Sequence, residues 1–330
     1  MTDVELLKPK LNVAIEGSPL SIENSDQLIA VTVLEDLEAP SMFTIEIFDW
    51  DEQTNQMTWV DSEKFNIGNR VKIQMGYENK LETLMVGEIT GIEIDVSQNA
   101  VPNLTVRGYD LRHRLLRGQK TCSYTQLKDS EIVKKIASKQ GLKAEVSDTK
   151  VKLEYVLQAN QTDMEFLQTR ANRLGYEVVV EEDTLLFRPH QNNLSKILTL
   201  NPQKDLIDFS SQMTTMNQVE KIEVRYWDIK QKEALVTTAK VGDENPKMDG
   251  ANSGPQTVKK AFGSTSNVIF AEAVTNKSES DEIAKGRFKD MALAYISGEG
   301  SCVGMSNLRA GKIVEIIKLG KRFSGLYYVN

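Results

Sequence analysis

Three runs decide the fold: Val71-Lys72-Ile73-Gln74-Met75-Gly76-Tyr77, then Leu84-Met85-Val86-Gly87-Glu88-Ile89-Thr90, then Leu104-Thr105-Val106-Arg107-Gly108-Tyr109-Asp110-Leu111. In the first, apolar side chains fall on every second position, at Val71, Ile73, Met75 and Tyr77. A strand sends successive side chains to opposite faces, so this period predicts one apolar face and one wet face. The polar break Glu78-Asn79-Lys80 leads into the second run, where Leu84 and Val86 resume the alternation. Working outward, the pattern recurs at Leu11, Val13 and Ile15, which end at the turn signal Gly17-Ser18-Pro19. It recurs again at Ile29, Val31 and Val33, at Phe43, Ile45 and Ile47, and at Ile92, Ile94 and Val96. Closely spaced strands with turn residues between them predict an antiparallel β-barrel or sandwich over residues 1–118.

Residues 119–190 change character and predict a small α+β insert. Ile132, Val133, Ile136 and Ala137 share one helical face, opened by Asp129 as N-cap and stopped by Gly141. A second helix starts at Thr162, with Glu165 at the capping-box spacing, a stripe of Met164, Leu167, Ala171 and Leu174, and Gly175 as its stop. Between them Val151, Leu153, Tyr155 and Leu157 alternate as a strand, and two apolar runs follow at 178–180 and 185–187. Residues 191–330 return to strands, clearest at Ile222, Val224 and Tyr226 and at 313–319. A loop is expected over 242–260, which holds almost nothing apolar, and a helix over 280–297, with Ala284, Phe288, Met291 and Tyr295 on one stripe and Gly298 closing it. The final Leu326-Tyr327-Tyr328-Val329-Asn330 reads as an apolar strand whose partner comes from another chain, unless the polypeptide is cut from something longer.

The chain has 330 residues, 40% of them apolar and 26% charged, enough for two or three globular domains. Its net charge of −7 opposes phosphate-neutralising nucleic-acid binding and suits a conduit past which a polyanion slides. The acidic start lacks the regions of a signal peptide, and no apolar stretch reaches bilayer length. Cys122 and Cys302 are expected to be two buried thiols. With only His113 and His190 available, and no nucleophile elbow, P-loop or His-Glu-x-x-His, no catalytic set is assigned. The arginines around His113 are expected to hold it neutral. His113, Cys122, His190 and Cys302 lack the close pairing of a zinc site, so no metal and no cofactor is expected. Gly298-Glu299-Gly300 follows a predicted helix rather than a strand, so it reads as a helix end running into a turn, not a dinucleotide fingerprint. The basic run Arg107, Arg112, Arg114, Arg117 and Lys120 reads first as a solvated or interface-facing turn and second as a phosphate patch. Trp50 and Trp59, in the polar stretch 49–62, either cap the barrel locally or anchor a neighbouring subunit. Trp50, Trp59, Arg112, Arg114 and Arg117 are therefore the candidate subunit-interface residues.

These runs together resemble the late-control protein D family. Val71–Tyr77 with Leu84–Thr90 looks like its opening strand pair, and Leu104–Leu111 is similar to its closing barrel strand. Ser130–Ala137 followed by Gly141-Leu142 resembles its first insert helix. Gln161-Thr162-Asp163-Met164-Glu165-Phe166-Leu167, with Ala171 and Leu174-Gly175-Tyr176, resembles a signature shared with VgrG spikes and myophage baseplate hubs. Gly325–Val329 is similar to the penultimate strand. The resemblance implies a mainly β chain: two tail-tube-like antiparallel β-barrels plus a small α+β subdomain, the second barrel spanning 191–330. It implies a non-enzymatic homotrimer whose six barrels form a pseudo-hexameric ring between a six-fold tail tube and a three-fold spike. Implied partners are the tail tube or tube-initiator protein, the spike protein and baseplate wedge proteins, with no membrane in the free state and no specific nucleic acid. Such a chain is made in the cytoplasm and assembled into a virion tail or tail-like particle. The family often continues into an oligosaccharide-binding-type domain and a needle, neither of which is in this sequence. The rival reading is a peptidoglycan-active enzyme or glycan-binding module carried on a tail protein.

Overall fold

The computed structural model describes residues 8–20, 27–77, 80–228, 231–244, 248, 250–270, 274 and 276–330. The break at Glu78-Asn79 and part of the 242–260 segment (245–247 and 249) lie outside them. The chain is mainly β and groups into two compact units. One holds Met1–Leu115, Val180–Thr184 and Gly304–Arg309; the other holds Leu116–Val179, Leu185–Val303 and Ala310–Asn330.

In the first unit, strands β1 (Pro9–Ile15), β2 (Ser18–Pro19), β3 (Leu28–Leu34), β4 (Met42–Phe48), β5 (Arg70–Tyr77), β6 (Lys80–Asp95) and β7 (Asn103–Asp110) form one sheet. Its order is β2-β1-β5-β6-β7-β4-β3, and every pairing is antiparallel. The period-two reading holds at its centre: Phe43, Ile45, Ile47, Val71, Ile73, Leu104 and Val106 are each 0% exposed and share one core. Among the described residues β2 and β3 stand at the two ends of this order. Ile29, expected inside, is exposed because it is the unmatched residue between the pairs Leu28↔Ile47 and Ala30↔Glu46. A second bulge leaves Leu84 unmatched between Gln74↔Thr83 and Ile73↔Met85. Bulges disrupt the ladder locally and free backbone carbonyls. Here Arg309 supplies the donors, to Thr83 O at 2.8 Å and Leu84 O at 2.6 Å, while its Nε bonds Glu35 at 2.7 Å.

The second unit opens with β8 (Lys120–Lys128), α1 (Asp129–Lys139), β9 (Lys143–Val146), β10 (Lys152–Gln161), α2 (Asp163–Leu174), β11 (Tyr176–Glu181) and β12 (Thr184–Pro189). The Thr162/Glu165 capping box is present: Glu165 N donates to Thr162 Oγ1 at 3.1 Å, and Thr162 N to Glu165 Oε2 at 2.8 Å. Gly175 ends α2 in the left-handed region, φ 65°. Lys128, not Asp129, caps α1; the Asp129 carboxylate is instead taken by Arg170 of α2, at 2.6 and 2.9 Å. On β10 the buried side chains are Leu153, Val156 and Gln158, while Tyr155 and Leu157 are exposed. The opposite side of the β8–β10 ribbon takes the helix: Tyr124 stacks on Phe166 of α2, 5.7 Å between centroids.

The remainder holds β13 (Leu198–Leu200), β14 (Leu206–Met213), β15 (Lys221–Asp228), β16 (Glu233–Lys240), α3 (Gly254–Phe262), β17 (Ser266–Phe270), α4 (Lys277–Leu293), β18 (Ile296–Cys302), β19 (Ile313–Ile316) and β20 (Gly325–Tyr328). Among the described residues these strands form three small sheets, β13-β19-β20, β14-β18 and β16-β15-β17, with β13–β19 and β15–β17 parallel. Ile222, Val224 and Tyr226 are buried as expected, packed with Ile283, Ala284 and Phe288 of α4. Three expectations are corrected. Residues 254–262 are helix, opened by a Ser253/Gln256 capping box and Pro255, where a loop was read. Helix α4 stops at Leu293, so Tyr295 lies beyond it and Gly298 and Gly300 sit in β18, not at a helix end. The terminal strand β20 finds a partner in its own chain, pairing antiparallel with β19.

Helices α2 and α4 pack within this unit through glycine. A Cβ on Gly286 would lie 2.5 Å from the Leu174 carbonyl carbon and 2.7 Å from Gly175 N, closer than any side chain tolerates. Arg173 at the end of α2 bonds Glu279 of α4 at 2.7 Å. Gly286→Ala, ordinarily favourable in a helix, is therefore expected to destabilise by about 1–3 kcal/mol through overpacking. A urea midpoint equal to or above wild type would contradict the contact.

Candidate subunit interface

The stretch containing the tryptophans is folded by a buried carboxylate. Asp49 is 0% exposed and accepts the backbone N–H of Thr58, Trp59 and Val60 at 2.7, 2.6 and 2.8 Å. Those bonds turn the loop back so that Trp59 lies against the sheet core, edge-on to Phe65 at 5.9 Å. Trp59 is thus the local cap of the two readings. Trp50 is half-buried.

The basic run dissolves into pairs. Arg112 is 1% exposed, so it faces neither solvent nor a partner. Its guanidinium bonds Asp110 Oδ2 (2.9 Å from Nε, 2.7 Å from Nη2), the Ser41 hydroxyl at 2.9 Å and the Asp36 carbonyl at 2.7 Å. Asp110 in turn accepts from Ser41 N at 2.9 Å, tying β7 to the loop before β4. Arg114 pairs with Glu88, whose other oxygen lies 2.8 Å from His113 Nε2. Burial pushes the Glu88 carboxyl up, but the Arg114 and His113 bonds outweigh it and hold it below the usual range. His113 therefore meets a carboxylate as well as arginines. Arg107 pairs with Glu93 at 2.9 Å and Lys120 with Asp163 at 2.5 Å. Arg117 is exposed. Arg107, Arg112, Arg114 and Lys120 are thus each paired with a carboxylate.

The described residues hold no group of three or more His, Cys, Asp or Glu placed to bind a metal ion, and no helix long and apolar enough to cross a membrane. Cys122 and Cys302 are free and half-buried, not fully buried as expected.

What the sequence reading missed is the β14–β18 ribbon. Its pairs Asp208↔Ser301, Ser210↔Glu299 and Gln212↔Ser297 put six exposed polar side chains on one face. The other face carries Phe209, Met213 and Ile296, with Phe209 edge-on to Tyr327 at 5.9 Å. Two strands make the whole sheet, so among the described residues both outer edges lack a ladder partner. Ile207, at a bulge, is 72% exposed. The β3 edge of the large sheet also carries exposed apolar residues, Leu34 at 56% and Ile29 at 41%. The signal was available as weak alternation at 206–213, masked by Ser210 and Ser211 there and by Gly298 and Gly300 in the partner strand.

Comparison with known proteins gives the following. A family model described as the Alg8 N-terminal domain (Alg8_N) matches residues 7–330. No curated protein matches the chain. Among solved structures, it is similar to the 43 kDa tail protein of prophage MuSo2 from Shewanella oneidensis, at 12% identity and TM-score 0.69, covering 97% of this chain and 92% of that one. It is similar to a tail protein from Neisseria meningitidis MC58, at 14% identity and TM-score 0.68 over 96% and 89% of the two chains. Prophage tail protein gp18 from Listeria monocytogenes matches at 11% identity and TM-score 0.58 over 96% and 87%. At such identities the likeness establishes a shared fold.

Removing the Arg112 guanidinium would leave Asp110 buried and unpaired. Arg112→Ala is expected to cost about 3–5 kcal/mol in urea unfolding followed by tryptophan fluorescence. Arg117→Ala, on the surface, should stay within about 0.5 kcal/mol. Equal effects would refute the burial of Arg112.

Proposed function

Because the chain belongs to the Alg8_N family and shares its fold with prophage tail proteins, we propose that it is a structural hub of a contractile tail or tail-like injection particle. Three copies form a ring that adapts a six-fold tube to a three-fold spike, with tube or tube-initiator, spike and wedge proteins as partners. The observation that carries this reading is the likeness to whole tail proteins along nearly the full length of both chains. Internal symmetry does not carry it, since the large sheet of the first unit and the small sheets of the second differ in build. The family's name specifies an N-terminal domain and no chemistry. The role is mechanical in this reading.

Of the residues read from sequence as interface candidates, Trp50, Arg114 and Arg117 remain available; Trp59 and Arg112 serve the fold of their own unit. To them we add the edges of the β14–β18 ribbon and of β3. An open strand edge invites pairing with another chain, and ring closure hides it.

Light scattering tests the assembly. Three copies of the 37.1 kDa chain give about 111 kDa, and Ile207→Lys, at the ribbon edge, should reduce that species without lowering the unfolding midpoint. A chain that stays at 37.1 kDa at high concentration would overturn the ring. Clearing of purified peptidoglycan by the chain would favour the enzymatic rival.

A further inference from the structure

His190 sits where three elements of the second unit meet. Its Nδ1 is 3.4 Å from Glu177 Oε2 on β11, and its Nε2 is 3.3 Å from Asp290 Oδ1 on α4. Glu177 is 2% exposed and also accepts from Arg188 Nε of β12 at 2.8 Å and from the Tyr328 hydroxyl of β20 at 2.7 Å. The Tyr328 ring stands edge-on to the imidazole, 6.1 Å between centroids, and its hydroxyl accepts from Gln191 N at 3.3 Å. The charged and titratable groups facing the imidazole are therefore Glu177, Asp290, Arg188 and the Tyr328 phenol. With a protonated imidazole, two carboxylates meet two cations and the node is neutral. With a neutral imidazole, Glu177 keeps Arg188 and the Tyr328 hydroxyl, while Asp290, its side chain 32% exposed, loses the cation that ties α4 to this node. The two imidazole contacts are longer than strong charged hydrogen bonds, so charge rather than bond alignment holds them.

We propose that His190 is a charged latch: protonated, it clamps α4 and the strand β20 onto β11 and β12, and loss of its proton opens that junction. This goes beyond the hub reading and does not rest on it, since every group involved lies in one chain.

Burial pushes the imidazole down, but the facing carboxylates of Asp290 and Glu177 outweigh it and raise it from 6.5 to about 9. Because the folded value is the higher one, the stabilisation is complete below about 6.5 and is lost as pH rises through about 9. The latch is accordingly closed at neutral pH and opens on the alkaline side.

Two measurements on the full chain test it. Proton NMR of the two imidazoles, with His113→Asn to assign them, should show one ring titrating near 9. Hydrogen exchange of residues 313–328, corrected for the intrinsic pH dependence, should show the β19–β20 amides opening at least ~10-fold more at pH 10 than at pH 7. Asp290→Asn removes one facing carboxylate and should shift that opening to lower pH, while the large sheet of the other unit keeps its protection. An imidazole that titrates at the ordinary 6.5 overturns the latch. So does exchange at β19–β20 that is indifferent to pH, or identical in wild type and Asp290→Asn.

Discussion

Helix α4 lies against the end of α2 because neither Gly286 nor Gly175 carries a side chain at the point of approach. Much of the second unit hangs on that contact. It brings Glu279 to Arg173, and it lays Ile283, Ala284 and Phe288 over the buried face of β15 and β16. It also sets Asp290, one turn beyond Gly286, beside His190. A helical insert and a later β region, which look like separate parts of the sequence, are in this way held as one packed body. The αL conformation of Gly175 is what allows α2 to stop there; any β-carbon at that residue would meet both strain and the Gly286 backbone.

Much of the architecture was legible in the sequence where a side chain's environment is set by its neighbours in a regular element. Phe43, Ile45 and Ile47, or Met164, Leu167 and Ala171, repeat with the period of their element, and all are buried. The failures share a cause. Ile29 sits at a bulge, which shifts the face of the strand without changing the alternation of letters. Tyr155 and Leu157 alternate faithfully, yet α2 covers the opposite side of the ribbon through Tyr124 and Phe166, so the apolar face points outward. Helix α3 buries little beyond Gly254, Pro255 and Val258, too short a stripe for periodicity to reveal; its capping box was the readable clue. Periodicity says which face is apolar, while what covers that face is tertiary information.

The charged residues misled more. Arg112 lies among arginines in sequence, but its partners are Asp110, Ser41 and the Asp36 carbonyl, and it is interior. Arg170 and Asp129 likewise join α2 to α1 from within. A buried ion pair offers weak net stabilisation over apolar packing, but breaking it is costly, so such pairs fix geometry more than they add stability. Asp49 acts in the same way on the loop that was expected to reach for a neighbour, collecting three backbone amides and folding Trp59 home. Conspicuous side chains are thus a poor guide by themselves, because tryptophan and arginine are as useful inside a small unit as on its surface.

Unpaired backbone at strand edges is what the described surface still offers a neighbour. An isolated two-stranded ribbon is marginal in water, and β14–β18 has only one apolar face, through Phe209, Met213 and Ile296, to hold it to its unit. Its other face, with Asp208 and Glu299 among serines and Gln212, gains nothing from burial against an apolar partner. What the ribbon still lacks is ladder partners at its edges, and backbone groups cannot be silenced by changing a side chain. A third strand from another molecule would satisfy an edge while leaving the polar face in water.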